Sequence, residues 1–293
     1  MKIAMAWHYE NDDPGIWSTP LSFAYAFEDL SHSVDYYGFI PTHCDLSKLI
    51  DVSNNYDLIF ICLAGPSPSF DNELIRLKEK TNTPIYMEFG DDIPTSNFFQ
   101  IRKHYVDGIF TLDKRCHNRY KAEGLPSNWM PVFCDPRIFY KQDQANRDNI
   151  CVTTCGHDRP LLREFTNLFG DKFITKRVKP EDNADFFNSG TFTYQFARYD
   201  ELTRRIMEAG GCGNAIITNR IDADTGIYDL FPEDECIAYF SSAQEAHEKM
   251  IRLYQDDEYR NKLANNLYKE ITEKHLSKHR VKQILDFYNE QNE

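Results

Sequence analysis

Short apolar runs alternate along this chain with longer segments whose apolar positions recur at helical spacing. Residues 2–7 read as a strand and 20–30 as a helix. Further strands are predicted at 34–37, 58–63, 85–88, 108–111 and 128–130, with helices near 71–80, 98–104 and 114–123. This rhythm predicts an α/β fold with a sheet of about six strands. The segment 135–149, DPRIFYKQDQANRDN, is charged and poor in aliphatics and reads as a linker. A second α/β unit opens at 150–154 and continues through strands at 173–174, 191–194, 215–218 and 237–240. Ser242-Ala-Gln-Glu245 is a capping box that starts a helix running to about residue 255. Helices at 257–274 and 278–289 close the chain.

The stretch 200–240 holds a helix, a buried strand and a polar turn in succession. Leu202, Ile206 and Ala209 share one helix face, which leaves Arg205 and Glu208 on a neighbouring face. Gly210, Gly211 and Gly213 are read as the helix stop. The run Asn214-Ala-Ile-Ile-Thr-Asn219 has the character of a parallel strand covered on both faces. The polar tract 220–226 follows its carboxyl end, where open α/β sheets bind ligands. This points to a nucleoside diphosphate site.

Composition narrows the classes. A chain of 293 residues with 41% apolar content has enough apolar surface for one large or two ordinary cores. A formal net charge of -13 argues against a polyanion as the main partner. No apolar run is long enough to span a bilayer, and the amino terminus turns polar too early for a signal peptide, so the cytosol is expected. The eight cysteines are scattered without CxxC spacing and read as free, largely buried thiols. A zinc site on Cys151 and Cys155 lacks a second ligand pair. A dehydrogenase would need GxGxxG after the first strand, and Gly210-Gly-Cys-Gly213 closes a helix instead.

Several motifs, in order, resemble one family. Arg205-Ile-Met-Glu208-Ala-Gly-Gly-Cys-Gly213 is similar to its R-x-F-E-A-x-A-C-G helix, and Thr225-Gly-Ile-Tyr-Asp-Leu-Phe231 to its P-G-x-x-x-L-F turn. The likeness continues through Cys236-Ile-Ala-Tyr-Phe-Ser-Ser242 and Tyr259-Arg-Asn-Lys-Leu-Ala-Asn-Asn266. In the first half it is carried by Phe27-Glu-Asp-Leu-Ser-His-Ser-Val34, Asp107-Gly-Ile-Phe-Thr-Leu-Asp113 and Trp129-Met-Pro-Val-Phe-Cys-Asp-Pro136. The chain resembles the GT-B nucleotide-sugar glycosyltransferases, and within them the spore-maturation-like branch. The resemblance implies two Rossmann-like domains facing each other across a cleft: an acceptor-side domain over 1–148, and a nucleotide-sugar-binding domain over 149–276. A terminal helix, about 277–293, is implied to return to the first domain.

It also implies transfer of a sugar from a UDP-type donor to a hydroxyl, with the nucleotide sugar as co-substrate, no further cofactor and no metal. Arg205 would grip diphosphate oxygens, since a guanidinium offers paired donors and keeps its charge. A surface ion pair with Glu201, four residues earlier, is the competing reading. Glu208 would accept the ribose hydroxyls, and an exposed helix charge is its alternative. Asp200 lies eight residues before Glu208, where many retaining members carry Glu; it is read as catalytic or as a helix N-cap. Thr225 and Gly226 are candidates to offer backbone amides to the diphosphate, or to form a plain turn. Gly156 and Arg159 follow the first strand of the second domain as phosphate-side candidates. Lys176 and Arg177 are further candidates for the same role.

In the first half, the loop Glu10-Asn-Asp-Asp-Pro-Gly15 follows the opening strand. Asp12 or Asp13 is a candidate base toward the acceptor hydroxyl, though Asp-Pro-Gly is also an ordinary turn. Glu88-Phe-Gly-Asp-Asp-Ile-Pro94 resembles the family's D-D-x-P turn, so Asp92, ahead of Asp91, is a candidate catalytic carboxylate. His8 and His157 are acid-base candidates or structural histidines. The acceptor is open among a carbohydrate, a small molecule, a protein or a modified DNA base, as is the oligomeric state. A viral-type DNA-base transferase and a non-catalytic nucleotide-binding or scaffold protein are the alternatives.

Overall fold

The apolar runs assemble into two parallel sheets in a computed structural model that describes residues 1–9, 15, 17–39, 43–63, 67–94, 99–143, 145–155 and 160–292. The chain divides into two compact units, Met1–Pro131 with Lys278–Glu293, and Val132–Ser277.

The first unit runs β1 (Lys2–His8), α1 (Thr19–Asp29), β2 (Ser33–Phe39), α2 (Ser47–Val52), β3 (Leu58–Leu63) and α3 (Pro68–Lys80). It continues with β4 (Ile85–Phe89), β5 (Gly108–Thr111), α4 (Lys114–Ala122) and β6 (Ser127–Trp129). The sheet order is β2-β1-β3-β4-β5-β6, and Ile3 pairs with Val34 on one side and Leu58 on the other. β1 is interior to the sheet, so Ile3, Ala4, Met5, Ala6 and Trp7 are all buried. Phe23 and Phe27 of α1 pack edge-on against Phe60, with ring centroids 5.2 and 6.1 Å apart. Ala4, Ile59 and Ile61 belong to a second core with Leu74 and Leu77 of α3.

The second unit runs β7 (Asn149–Thr153), α5 (Leu162–Phe169), β8 (Phe173–Thr175), α6 (Asn183–Asn188), β9 (Gly190–Gln195) and α7 (Arg204–Gly211). Then come β10 (Ala215–Asn219), α8 (Ile227–Leu230), β11 (Ala238–Phe240), α9 (Ala243–Gln255) and α10 (Asp257–Lys274). Its sheet order is β11-β10-β9-β7-β8, with every pair parallel. The order turns back beside the first strand of each sheet, at β1 and at β7. That is where parallel sheets open a crevice at their carboxyl ends.

The closing helix α11 (Ser277–Asn292) lies almost wholly in the first unit. Phe287 meets Phe110 and Tyr86 edge-on at 5.3 and 5.4 Å. The buried Arg280 donates Nε to the Pro131 carbonyl at 2.7 Å.

Three readings of the sequence change. The division falls at 131/132 rather than 148/149, because the supposed linker is part of the second unit. Cys134 exchanges backbone bonds with His275 and Ser277, Phe139 is buried, and Asn188 donates to the Tyr140 carbonyl at 2.8 Å. The helix expected at 98–104 is a single 3-10 turn, Arg102–His104, with residues 95–98 outside the described residues. Gly210 and Gly211 do not stop α7 but belong to it. A Cβ on Gly210 would meet Ile271 Cδ1 at 2.5 Å and Leu267 Cδ2 at 2.9 Å, so the missing side chain lets α7 approach α10. Gly213, at φ 78, makes the reversal that follows.

Candidate functional site

The loop from β9 into α7 lies at the carboxyl end of the second sheet, beside the point where its strand order reverses. α7 begins at Arg204, so Arg205 stands in its first turn and Glu208 one turn further on. Ile206, Met207 and Ala209 are buried against the core, and Arg205 and Glu208 are half-buried. Among the described residues, neither the Arg205 guanidinium nor the Glu208 carboxylate has a hydrogen-bond or ion-pair partner. Burial raises the Glu208 carboxyl above its ordinary pKa, against the opposing pull of Arg204 and Arg205. The competing Glu201–Arg205 pair does not form, because Glu201 precedes the helix and the i, i+4 geometry is never set up.

Asp200 is not the helix cap. It takes φ 55, and Thr203 occupies the N-cap position without a side-chain capping bond. The Asp200 carboxylate instead accepts the Asp222 amide at 2.7 Å. Asn219, at the end of β10, accepts the Ala197 amide at 2.7 Å and donates to the Ala197 carbonyl at 3.2 Å. The loop before α7 and the turn after β10 are therefore tied at two points.

The Thr225 and Gly226 amides are spent inside their own turn, on the carbonyls of Asp222 and Ala223 at 3.2 and 3.0 Å. They are not open to a diphosphate as the motif suggested. Gly226 takes φ 85, a left-handed conformation that suits glycine at this turn, and the Thr225 hydroxyl donates to Asp222 O at 2.6 Å. Lys176 and Arg177 are exposed beyond the edge strand β8. Gly156, His157 and Arg159 lie outside the described residues, as do Asp12 and Asp13.

Two hydroxyls escaped the sequence reading. Thr154, just after β7, and Thr203, just before α7, each have a buried Oγ1 without a hydrogen-bond partner among the described residues. Both stand at the carboxyl ends of β7 and β9, and a single threonine carries no signal in sequence that would single it out.

Next to the polar turn, Arg220 donates to Glu233 through Nη1 at 2.6 Å and through Nη2 at 2.5 Å. Lys249 donates to Glu233 at 2.7 Å and to the Tyr239 carbonyl at 2.6 Å. The Arg220 hydrogen bond, joined by Lys249, holds Glu233 down to about 2. Of the expected capping box, the Ser242 hydroxyl accepts the Glu245 amide at 3.1 Å, while Glu245 reaches one residue further back to accept the Ser241 amide at 2.8 Å.

In the first unit, Asp92 is buried rather than open. Its Oδ2 accepts the Tyr120 hydroxyl at 2.6 Å and its Oδ1 accepts Arg119 Nη2 at 3.3 Å. Burial raises its pKa, opposed by Tyr120 and Arg119. A carboxylate engaged in this way fastens α4 to the turn after β4. Asp91 and His8 are exposed. All eight cysteines are buried free thiols, and no cluster able to hold a metal occurs among the described residues. Nor does any described helix have the length and apolarity to cross a membrane.

Residues 156–286 match the family model described as glycosyl transferase-like. No curated protein matches the chain in sequence. Sucrose-phosphate synthase from Thermosynechococcus elongatus matches with TM-score 0.70 and 10% identity, over 99% of this chain and 98% of that one. Anabaena HepE, solved with UDP-glucose, matches with TM-score 0.70 and 12% identity, over 99% of this chain and 100% of its own. An alpha-glucosyltransferase solved with UDP and a 13-mer DNA containing a HMU base matches with TM-score 0.70 and 13% identity, over 99% of each chain. The two parallel sheets thus have the fold of GT-B glycosyltransferase structures. The glycosyl transferase-like segment contains α7 with Arg205 and Glu208.

Proposed function

We propose that this protein transfers a sugar from a nucleoside-diphosphate sugar to a hydroxyl acceptor, with the donor nucleotide held in the second unit by Arg205 and Glu208. The observation that carries the reading is a guanidinium and a carboxylate, one turn apart at a parallel sheet's carboxyl end, neither engaged by another described residue. A diphosphate supplies the acceptor oxygens that Arg205 lacks, near the positive end of α7. Two ribose hydroxyls supply the donors that Glu208 lacks, and they favour its ionised form. As the sugar leaves, charge gathers on the diphosphate, and a fixed guanidinium stabilises it.

UDP is the first nucleotide to test, since two of the matched structures were solved with UDP or UDP-glucose. The motif order favours the spore-maturation-like branch within this fold. Asp13, after β1, is the proposed base toward the acceptor, because Asp92 is committed to Tyr120 and Arg119. A hydroxylated DNA base is one acceptor class, favoured by the match to the DNA-containing structure. A carbohydrate, small-molecule or protein hydroxyl is the other. No metal or further cofactor is assigned. Eight buried free thiols suit a reducing compartment, and we place the protein in the cytoplasm.

Calorimetric titration with UDP and UDP-sugars tests the reading. Saturable binding, followed by hydrolysis or transfer, supports it. Nucleotide binding without turnover would favour a non-catalytic protein of this fold.

A further inference from the structure

The strained residue beside this site has a specific job. Asp200 takes φ 55, a conformation that costs most side chains energy and that Asp, Asn and Gly tolerate best. It accepts the Asp222 amide at 2.7 Å. The Asp222 carboxylate in turn accepts the Asp224 amide at 2.9 Å, and its carbonyl takes both the amide and the hydroxyl of Thr225. The second tie, between Asn219 and Ala197, lies three residues upstream of Asp200. Three residues, 201–203, lead from Asp200 to Arg204, the first residue of α7.

We infer that Asp200 is a positioning residue: its carboxylate staples the loop before α7 to the 222–226 turn and so fixes where Arg205 and Glu208 present their side chains. The inference rests on the proposed nucleotide site. It differs from a catalytic role for Asp200, because its carboxylate acts on a backbone amide and through that on the helix start.

Three variants separate the roles. Asp200→Asn keeps an acceptor oxygen and tolerates the left-handed backbone. Asp200→Gly keeps the backbone freedom and loses the acceptor, and Asp200→Ala loses both. Hydrogen exchange of the Asp222 amide should quicken about tenfold in Asp200→Gly and Asp200→Ala, on the scale of one charge-assisted bond, and stay near wild type in Asp200→Asn. UDP affinity should weaken in the same two variants by roughly three- to tenfold, while Asp200→Asn keeps both affinity and kcat within about twofold. Unchanged Asp222 exchange in Asp200→Gly overturns the staple. So does faster exchange with unaltered UDP affinity, because the tie would then have no bearing on the site. A loss of kcat of about a hundredfold in Asp200→Asn, with exchange unaltered, would assign Asp200 to the chemistry instead. A wild type that binds no nucleotide overturns the site reading and with it the positioning role, whereas the exchange result judges the staple alone.

Discussion

Arg205 and Glu208 stand one helical turn apart on α7 and do not form an ion pair with each other, although Arg205 still pulls the Glu208 carboxyl toward ionisation. The carboxyl is raised by burial in spite of that pull. An arrangement of this kind is costly to the empty protein and complementary to a ligand that carries acceptors at one end and donors at the other.

Replacing Arg205 with Ala is expected to weaken UDP binding by about ten- to a hundredfold, the worth of a charge-assisted phosphate contact. Stability of the unliganded protein should change by less than about 0.5 kcal/mol, because no described side chain depends on the guanidinium. Calorimetry and urea melts on the same variant read both numbers.

Glu208 carries a pH signature. Its folded-state pKa is raised, so the native state holds its proton more tightly than the unfolded chain. Its ionisation therefore costs stability, and the cost sets in as pH rises from the ordinary carboxylate range through the raised value. Glu208→Gln should melt higher than wild type at neutral pH, with the difference vanishing toward pH of about 4. The same substitution should weaken UDP binding, and only wild-type affinity should fall as pH drops through the Glu208 titration. Melting curves and titrations across pH read both effects.

Asp92 gives the contrasting case. Asp92→Ala leaves the Tyr120 hydroxyl and Arg119 without their acceptor, and a loss of about 1–3 kcal/mol in stability is expected. UDP affinity should stay within about twofold, since the residue belongs to the other unit. Chemical denaturation and nucleotide titration together distinguish this fastening role from a catalytic one.

The Arg220–Glu233–Lys249 cluster is tied to pH in the opposite sense. Glu233 is held down to about 2, so its contribution is present above its ordinary range and is lost as pH falls from about 4.5 toward 2. Side chains about a third exposed limit the effect to about 1 kcal/mol at neutral pH. Wild type should be more stable than Glu233→Gln by that amount in low salt, and by less in high salt or acid. Denaturation at two salt concentrations and two pH values measures it.

The strands were legible in sequence because the interior ones are short, doubly covered apolar runs, and the edge strands fall at the spacing these set. All six strands of the first sheet and all five of the second coincide with runs identified from pattern alone. The helices α2, α5 and α6 were not foreseen. α5 starts after Leu161, which has φ 66 and offers no capping side chain, and α6 is six residues long. The start of α7 was misplaced because buried Leu202 extends the apolar period backward, while the left-handed Asp200 keeps residues before Arg204 out of the helix. The segment before β7 looked like a linker because it is charged and poor in aliphatics, and its anchors are mostly polar contacts to residues distant in sequence. Phe139 and Arg147 hold it, the latter through the Gly190 carbonyl at 2.5 Å and the Asn214 side chain. The motif resemblance names Arg205 and Glu208 as candidates, but spacing cannot reveal that the Thr225 and Gly226 amides are already bonded within their turn or that Asp92 is already bonded.

The most direct measurement is a calorimetric comparison of UDP with uridine, using wild type, Arg205→Ala and Glu208→Gln. On the proposed site, in which Arg205 grips the diphosphate and Glu208 the ribose, Arg205→Ala should lose most of the advantage of UDP over uridine, and Glu208→Gln should weaken both ligands alike. Equal affinity of all three proteins for UDP, or no binding by wild type, would contradict the account.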